Sequence, residues 1–292
     1  MKDYLVRGMT MDGFVKVVGI RSTELVRRGA QIQKTTPNAT AAFGRCLTAA
    51  AMMGNMQKVE NGSMTLQVRG GGPIGTITVV SDPEGNVRGC VTEPRVPLVE
   101  KYPGKLDVGA TVGTDGTITV IRDLQMKEPY VGSTALVSGE IGDDVTAYFA
   151  QSEQTPTACA LGVLVDRDLS VKVAGGYLIQ LLPGAPEEIV DKLEQGIQKA
   201  GAVTAMLEAG LMPEEILGQV CGDLGVVFME TTEVSYKCYC SRSRVEKALI
   251  SLGREELTQI MQEEKEFPVE CQFCDTVYTF TPEDIEKLLK EI

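Results

Sequence analysis

Apolar and polar positions along the first 180 residues switch repeatedly between the two-residue period of strands and the period of helices. Residues 14–20 form an apolar run that is typical of a buried strand. Residues 38–56 carry small and apolar side chains at helical spacing, which predicts a helix with one apolar face. The same patterns predict strands over 64–68, 76–80, 87–91, 117–120, 159–165 and 171–182, and a helix over 139–151. Many strands with a few helices predict an α+β (mixed α/β) core domain over residues 1–180.

The pattern changes over residues 181–226. A Pro- and Gly-containing break is followed by a helix that Pro186 opens, with Ile189, Leu193 and Ile197 on one face. Shorter helices are predicted over residues 202–209 and from Pro213 onwards. Helices this short, interrupted by Pro and Gly, predict a helical hinge or linker and not a domain with its own core.

Residues 227–292 predict a small α+β domain. Two helices are expected over residues 243–262, the first one starting with a capping box at Ser243 to Glu246. Two short strands follow, on either side of a turn at residues 271–274. Thr281 and Pro282 open a last helix, whose apolar face contains Ile285, Leu288, Leu289 and Ile292.

The eight cysteines fall into two groups of four. Half of them stand alone among apolar or small residues and are expected to be small buried side chains: Cys46, Cys90, Cys159 and Cys221. The other half form two close pairs separated by thirty residues: Cys238 with Cys240, and Cys271 with Cys274.

Two close pairs of thiolates are the ligand set of a tetrahedral zinc site. We therefore predict that Cys238, Cys240, Cys271 and Cys274 bind one zinc ion. In a straight strand Cys238 and Cys240 would point to opposite faces, so the site requires a bend at Tyr239.

Composition excludes several other kinds of chemistry. The chain has no histidine, which removes histidine bases and histidine metal ligands, and its net charge is −12, which opposes binding to nucleic acid or anionic lipid. The longest apolar stretch, residues 158–165, is too short to span a membrane, and the N-terminus lacks a secretory pattern, so we expect a cytoplasmic protein. The glycines of residues 70–75 are not followed by a phosphate-loop lysine and predict a turn. We predict no catalytic residues and no enzyme activity.

The cysteine pattern also predicts a switch. A metal held by both pairs ties the ends of a thirty-residue loop, and such a cross-link contributes ~3–4 kcal/mol. Metal coordination in small domains supplies ~10 kcal/mol or more. The nearest partners for disulfides along the chain are within each pair, and these bridges would not replace the long link. Oxidation should then loosen the domain, whereas a bridge from one pair to the other would keep the segment tied.

These residues resemble a known family. The two cysteine pairs, together with residues 70–75, 138–141, 148–149, 152–154 and 175–180, resemble the bacterial redox-regulated heat-shock holdases of the 33 kDa chaperonin family. The resemblance implies a cytoplasmic chaperone that works without ATP. When reduced, it would hold zinc on the four cysteines and be quiescent. When oxidised, it would form the disulfides Cys238–Cys240 and Cys271–Cys274, release zinc, unfold its switch and hinge, form a homodimer and bind unfolding client proteins.

Two other functions were weighed. One is a constitutive structural zinc module in a nucleic-acid-binding protein, against which the net charge of −12 argues. The other is a thiol-disulfide oxidoreductase that uses Cys271 and Cys274. The absence of a thioredoxin-like βαβ pattern around these two residues argues against it.

Overall fold

The chain folds into two compact units. A computed structural model describes residues 2–57, 59–263 and 266–290, and the units are Met1–Tyr236 and Lys237–Ile292. Residues 227–236, which the sequence pattern placed with the cysteines, lie in the larger unit because two strands there pair with its sheets. The segment over residues 181–226 also lies in the larger unit.

The larger unit is built from strands and helices that alternate along the chain. Its strands are β1 (Tyr4–Thr10), β2 (Val15–Arg21), β3 (Ser63–Arg69), β4 (Thr76–Ser81), β5 (Asn86–Val91), β6 (Glu100–Tyr102), β7 (Lys105–Leu106), β8 (Thr117–Asp123), β9 (Tyr130–Ala135), β10 (Thr157–Val165), β11 (Val171–Leu181), β12 (Val226–Glu233) and β13 (Ser235–Tyr236). Its helices are α1 (Thr23–Gln33), α2 (Pro37–Asn55), α3 (Val108–Val112), α4 (Gly142–Ser152), α5 (Glu187–Ala200), α6 (Val203–Glu208) and α7 (Pro213–Cys221), with a 3-10 turn at Gly222–Leu224. The α+β class predicted for this part of the chain is confirmed.

Two sheets organise these elements. One sheet has the order β10-β11-β2-β1-β12 and is antiparallel throughout. The other has the order β13-β5-β4-β3-β8-β9, in which only the short β13 runs parallel to its neighbour β5. A further short hairpin joins β6 and β7.

Helix α2 forms the centre of the main core. Its side chains pack against both sheets, and nearly every residue from Asn38 to Asn55 is buried. The sequence predicted only one apolar face on this helix, and that was wrong. Small residues such as Ala42 and Ala50 let both sheets approach the helix closely, so almost all of its surface is covered.

Helices α5, α6 and α7 cover the other face of the β10-β11-β2-β1-β12 sheet. Their buried side chains include Leu193, Leu207 and Leu217, and these pack against sheet residues such as Val17 and Ile179. Residues 181–226 thus have no core of their own, as their short interrupted helices suggested. Instead they complete the core on one side of this sheet.

The described residues of the smaller unit form three helices and one hairpin: α8 (Arg242–Ile250), α9 (Arg254–Glu263), β14 (Phe267–Glu270), β15 (Val277–Phe280) and α10 (Pro282–Leu289). Helix α8 begins two residues earlier than predicted, because the hydroxyl of Ser241 accepts the N–H of Arg244 and caps it. Thr281 caps α10 as expected. Ile292, predicted on the apolar face of this helix, lies outside the described residues.

The core of the smaller unit is thin. Its fully buried apolar side chains, among the residues that the structure describes, are Leu249, Leu257, Phe280, Ile285 and Leu288. A core of this size rarely stabilises a unit of 56 residues (237–292) on its own. Within the described ranges of both units, no helix has the length and apolar character needed to cross a bilayer.

Candidate metal centre

The four predicted ligand residues come together in the smaller unit. The sulfur atoms of Cys238, Cys240, Cys271 and Cys274 all lie within 4.8 Å of one another. The Sγ atoms of Cys238 and Cys271 are 3.8 Å apart, and those of Cys240 and Cys274 are 3.4 Å apart. A tetrahedral centre with metal–sulfur bonds near 2.3 Å has sulfur–sulfur edges of about 3.8 Å. The four thiols therefore fit the donor set of a tetrahedral metal ion.

A bend brings Cys238 and Cys240 to the same side. Residues 237–241, between β13 and α8, have no regular secondary structure. The Nη1 of Arg244 donates to the carbonyl oxygen of Tyr239 at 2.9 Å, which ties the middle of the bend to the first turn of α8. The sulfurs of Cys238 and Cys240 thus lie in one cluster, as a shared ion requires, and the bend at Tyr239 stays a prediction.

The second pair lies in a tight turn between the strands of the hairpin. The N–H of Cys271 donates to the carbonyl oxygen of Thr276 at 3.0 Å, and the N–H of Cys274 donates to that of Cys271 at 3.3 Å. These bonds close the turn and point both sulfurs into the same cluster. The paired strands β14 and β15 hold its two ends.

Each sulfur also accepts a hydrogen bond from the protein. Three accept from the backbone N–H two residues further along the chain: Cys238 from Cys240, Cys271 from Phe273, and Cys274 from Thr276. The sulfur of Cys240 accepts from the phenolic hydroxyl of Tyr278 at 3.1 Å. Hydrogen bonds of this kind stabilise thiolates, which are the form that binds a metal.

Burial and hydrogen bonding act differently on the four thiols. Burial raises the pKa of Cys238 to about 12 and also raises the pKa of Cys271. Burial acts in the same direction on Cys274, but hydrogen bonds from Thr276 and from neighbouring thiols outweigh it and lower its pKa to about 7. Without a metal, Cys274 thus has the lowest pKa of these three thiols and loses its proton most readily.

The side chain of Arg242, two residues after Cys240, contacts several elements of the smaller unit. The guanidinium of Arg242 donates to the carbonyl oxygen of Thr279 at 2.9 Å and to the carboxylate of Asp284 at 2.8 Å. It also lies over the ring of Phe280, 4.3 Å from its centroid. Arg242 therefore connects the start of α8 to the end of β15 and to α10.

The solitary cysteines lie in the larger unit, outside this cluster. Cys46 and Cys221 are buried, as expected for small apolar side chains, whereas Cys90 and Cys159 are only partly buried. Burial raises the pKa of Cys159 to about 12 and that of Cys221 to about 11, which makes these two thiols poor nucleophiles at neutral pH.

The glycine-rich segment is a packed turn. A Cβ at Gly70 would lie 2.3 Å from the carbonyl oxygen of Gly113, and one at Gly72 would lie 2.5 Å from that of Thr111. These glycines allow two backbone segments to approach each other. The turn predicted for residues 70–75 is therefore confirmed.

Sequence reasoning did not identify Tyr278 or Thr276 as part of the site. Thr276 lies two residues after Cys274, and both its hydroxyl and its backbone N–H donate to that sulfur. Tyr278 gave no local signal, because its contact with Cys240 joins residues that are 38 positions apart in the chain.

Comparisons with known proteins agree with this architecture. A family model described as "Hsp33 protein" matches residues 3–281. Proteins named "33 kDa chaperonin" from Alkaliphilus oremlandii and Bacillus cytotoxicus are each 46% identical over all 292 residues, which cover 98% and 100% of those relatives. The crystal structure of the 33 kDa chaperonin (heat shock protein 33 homolog) from Thermotoga maritima matches with a TM-score of 0.92 and 34% identity, over 100% of this chain and 99% of that one.

Proposed function

The chain belongs to the Hsp33 protein family of chaperones, and from that premise we propose that it is a redox-regulated, ATP-independent holdase. It binds unfolding or oxidatively damaged proteins and prevents their aggregation. The observation that carries the regulatory part is the cluster of four cysteine sulfurs within 4.8 Å of one another.

In the reduced state, we propose that Cys238, Cys240, Cys271 and Cys274 hold one zinc ion. The ion, when bound, supplies a charge that keeps four thiolates together. Two observations support these ligands: the sulfurs all lie within 4.8 Å of one another, and each sulfur accepts a hydrogen bond. Sulfur ligands favour zinc over magnesium or calcium, which prefer oxygen.

Activation is an oxidation by a peroxide. A thiolate sulfur attacks one peroxide oxygen, the O–O bond breaks, hydroxide leaves and a sulfenic acid forms. The thiolate of the second cysteine then attacks that sulfur, so that an S–S bond forms and a second hydroxide leaves. Each pair of thiols thus transfers two electrons to one peroxide as its disulfide forms, and the peroxide becomes two water molecules after protonation. Two peroxides convert the four thiols into two disulfides and remove all the ligands.

We propose that the disulfides are Cys238–Cys240 and Cys271–Cys274. All four sulfurs lie close together in the reduced arrangement, so distance alone does not select the pairing. Loop closure does favour neighbours once the unit loosens. Closing a loop of about three residues costs about 2 kcal/mol less than closing one of about thirty, on the logarithmic dependence for flexible chains.

Loss of the ligands should loosen the smaller unit. Its buried apolar core is thin, and local disulfides do not connect residues 238–240 with residues 271–274. We propose that unfolding extends to the hinge over residues 181–226. Its helices cover apolar sheet residues such as Val17 and Ile179, and their release would expose a surface for clients.

The proposed partners follow from this surface and from the charge of the chain. They are unfolding client proteins and, in the oxidised state, a second copy of the chain. With a net charge of −12, we propose no nucleic-acid partner and no membrane partner. We place the protein in the cytoplasm and assign it no catalytic residues and no enzyme activity.

The test is to expose zinc-loaded, reduced protein to hydrogen peroxide at raised temperature. Zinc release is followed with a chromogenic chelator, free thiols are counted, and light scattering reports the aggregation of a thermally unfolding client. We expect zinc release, loss of four thiols and suppressed aggregation to proceed together. The same protein heated without peroxide is the control. Full chaperone activity while zinc is retained would contradict the proposal.

A further inference from the structure

We propose that Tyr278 is a positioning residue of the metal centre, which fixes the Cys240 sulfur and moderates its reactivity through a hydrogen bond. The inference rests on the proposed zinc site but concerns a residue outside the four ligands. Its basis is the 3.1 Å distance between the Tyr278 hydroxyl oxygen and the Cys240 sulfur.

The four sulfurs do not obtain their hydrogen bonds in the same way. Cys238 and Cys271 accept from backbone N–H groups two residues ahead, so any side chain at those donor positions would preserve the bond. Cys274 accepts from both the backbone N–H and the hydroxyl of Thr276. The donor at Cys240 is a side chain from a distant part of the chain. Removing the hydroxyl of Tyr278 therefore removes this donor without disturbing the backbone.

The position of Tyr278 is set by the hairpin. It lies in β15 directly opposite Val269 of β14, in the antiparallel pair whose strands flank the turn with Cys271 and Cys274. Its ring packs against the small apolar core, which fixes the direction of the hydroxyl. The bond thus connects the hairpin that carries the second cysteine pair to the bend that carries the first.

The bond should have two effects on a metal-bound thiolate. It orients the sulfur, and loss of such supporting contacts typically weakens metal binding by 10–100-fold. It also withdraws electron density from the sulfur, and sulfur nucleophilicity falls as the thiolate is stabilised. Tyr278 would therefore strengthen zinc binding while slowing the reaction of Cys240 with peroxide.

The test is Tyr278→Phe, which keeps the ring in the core and removes only the hydroxyl. Zinc affinity is measured by competition with a chelator, and we expect it to fall by roughly 10-fold. With zinc saturating, timed alkylation and mass spectrometry report the oxidation of each cysteine by hydrogen peroxide. We expect Cys240 to react several-fold faster while Cys271 keeps its wild-type rate. Tyr130→Phe, at a tyrosine in the larger unit, is the matched control.

A spectroscopic readout separates positioning from general destabilisation. In the cobalt-substituted protein, the sulfur-to-metal charge-transfer band should move to lower energy in Tyr278→Phe, because one sulfur has become more electron-rich. Equal acceleration of all four cysteines without a band shift would overturn the role of Tyr278, and so would unchanged affinity and rates. If the wild-type protein bound no zinc, the metal site itself would fail, and the proposed function with it.

Discussion

Removing zinc from the reduced protein should unfold the smaller unit and leave the larger one folded. The cross-link between the two cysteine pairs contributes ~3–4 kcal/mol through the loop that it closes. A core in a domain of this size rarely supplies more than ~3–5 kcal/mol. The cross-link alone is thus comparable to the whole contribution of the core, and coordination of the metal adds to it, so loss of the metal leaves the smaller unit without most of its stability. A change of 1.4 kcal/mol in free energy alters an equilibrium constant about tenfold. Loss of the ~3–4 kcal/mol from the cross-link should therefore make amide exchange that depends on opening of the smaller unit roughly 100- to 1,000-fold faster.

Hydrogen exchange followed by mass spectrometry measures this change segment by segment. Strand β15 (Val277–Phe280) and helix α10 (Pro282–Leu289) should lose protection when a chelator removes the metal from reduced protein, and recover it when zinc is returned. Helix α2 (Pro37–Asn55), which is buried between two sheets, is the internal control and should keep its protection. Unchanged exchange in β15 after complete zinc removal would refute the view that the metal holds this unit together.

Three further predictions concern single residues. Cys274→Ser removes one ligand and should give chaperone activity in light-scattering assays without any oxidant, whereas Cys90→Ala, outside the cluster, should still require peroxide. Phe43→Ala, at a fully buried position of α2, should lower the free energy of unfolding of the larger unit by ~3–5 kcal/mol in urea titrations. Burial raises the pKa of Asp3 from 3.8 to about 6, so its contribution to stability is present below pH 4 and is lost as pH rises through 6. Asp3→Asn should therefore remove about 2–3 kcal/mol of pH dependence between pH 4 and pH 7, measured against the wild type.

Local patterns predicted those elements whose formation depends on neighbouring residues. The alternation at residues 64–68 and the apolar run at residues 14–20 correspond to β3 and β2. Strands β1 and β12 gave no comparable signal. Strand β12 forms by pairing with a distant partner, since Glu233 lies opposite Tyr4 of β1, whereas β1 also pairs with the neighbouring β2. Strand β12 is also largely exposed, so its side chains carry little of the alternation that burial imposes.

The cluster of four cysteines could be predicted because its members occur in local pairs. A short spacing between cysteines restricts what those side chains can do, and two such pairs point to one shared ion. The surroundings of the ligands depend on tertiary structure instead. Neither the hydrogen bond from Tyr278 nor the contacts of Arg242 with Thr279 and Asp284 follow from spacing, because they join elements that meet only after the hairpin has folded.

The distribution of burial explains why helices α5 and α6 should separate from the five-stranded sheet more readily than the central core unfolds. Helix α5 has 14 residues, but Leu193 is its one fully buried residue, and α6 has only six residues. Polar contacts between helices α6 and α7 and the sheet, within the part of the chain that the structure describes, include the hydroxyl of Tyr4, which donates to Glu214 at 2.7 Å, and Lys172, which pairs with Glu208 at 2.6 Å. Exposed ion pairs such as the second of these contribute little to stability. Helix α2, by contrast, is buried over almost its whole length. Because segments open in order of their local stability, we expect α5 and α6 to lose exchange protection well before α2. Release of α5 and α6 should then expose part of the apolar sheet face while the central core stays folded.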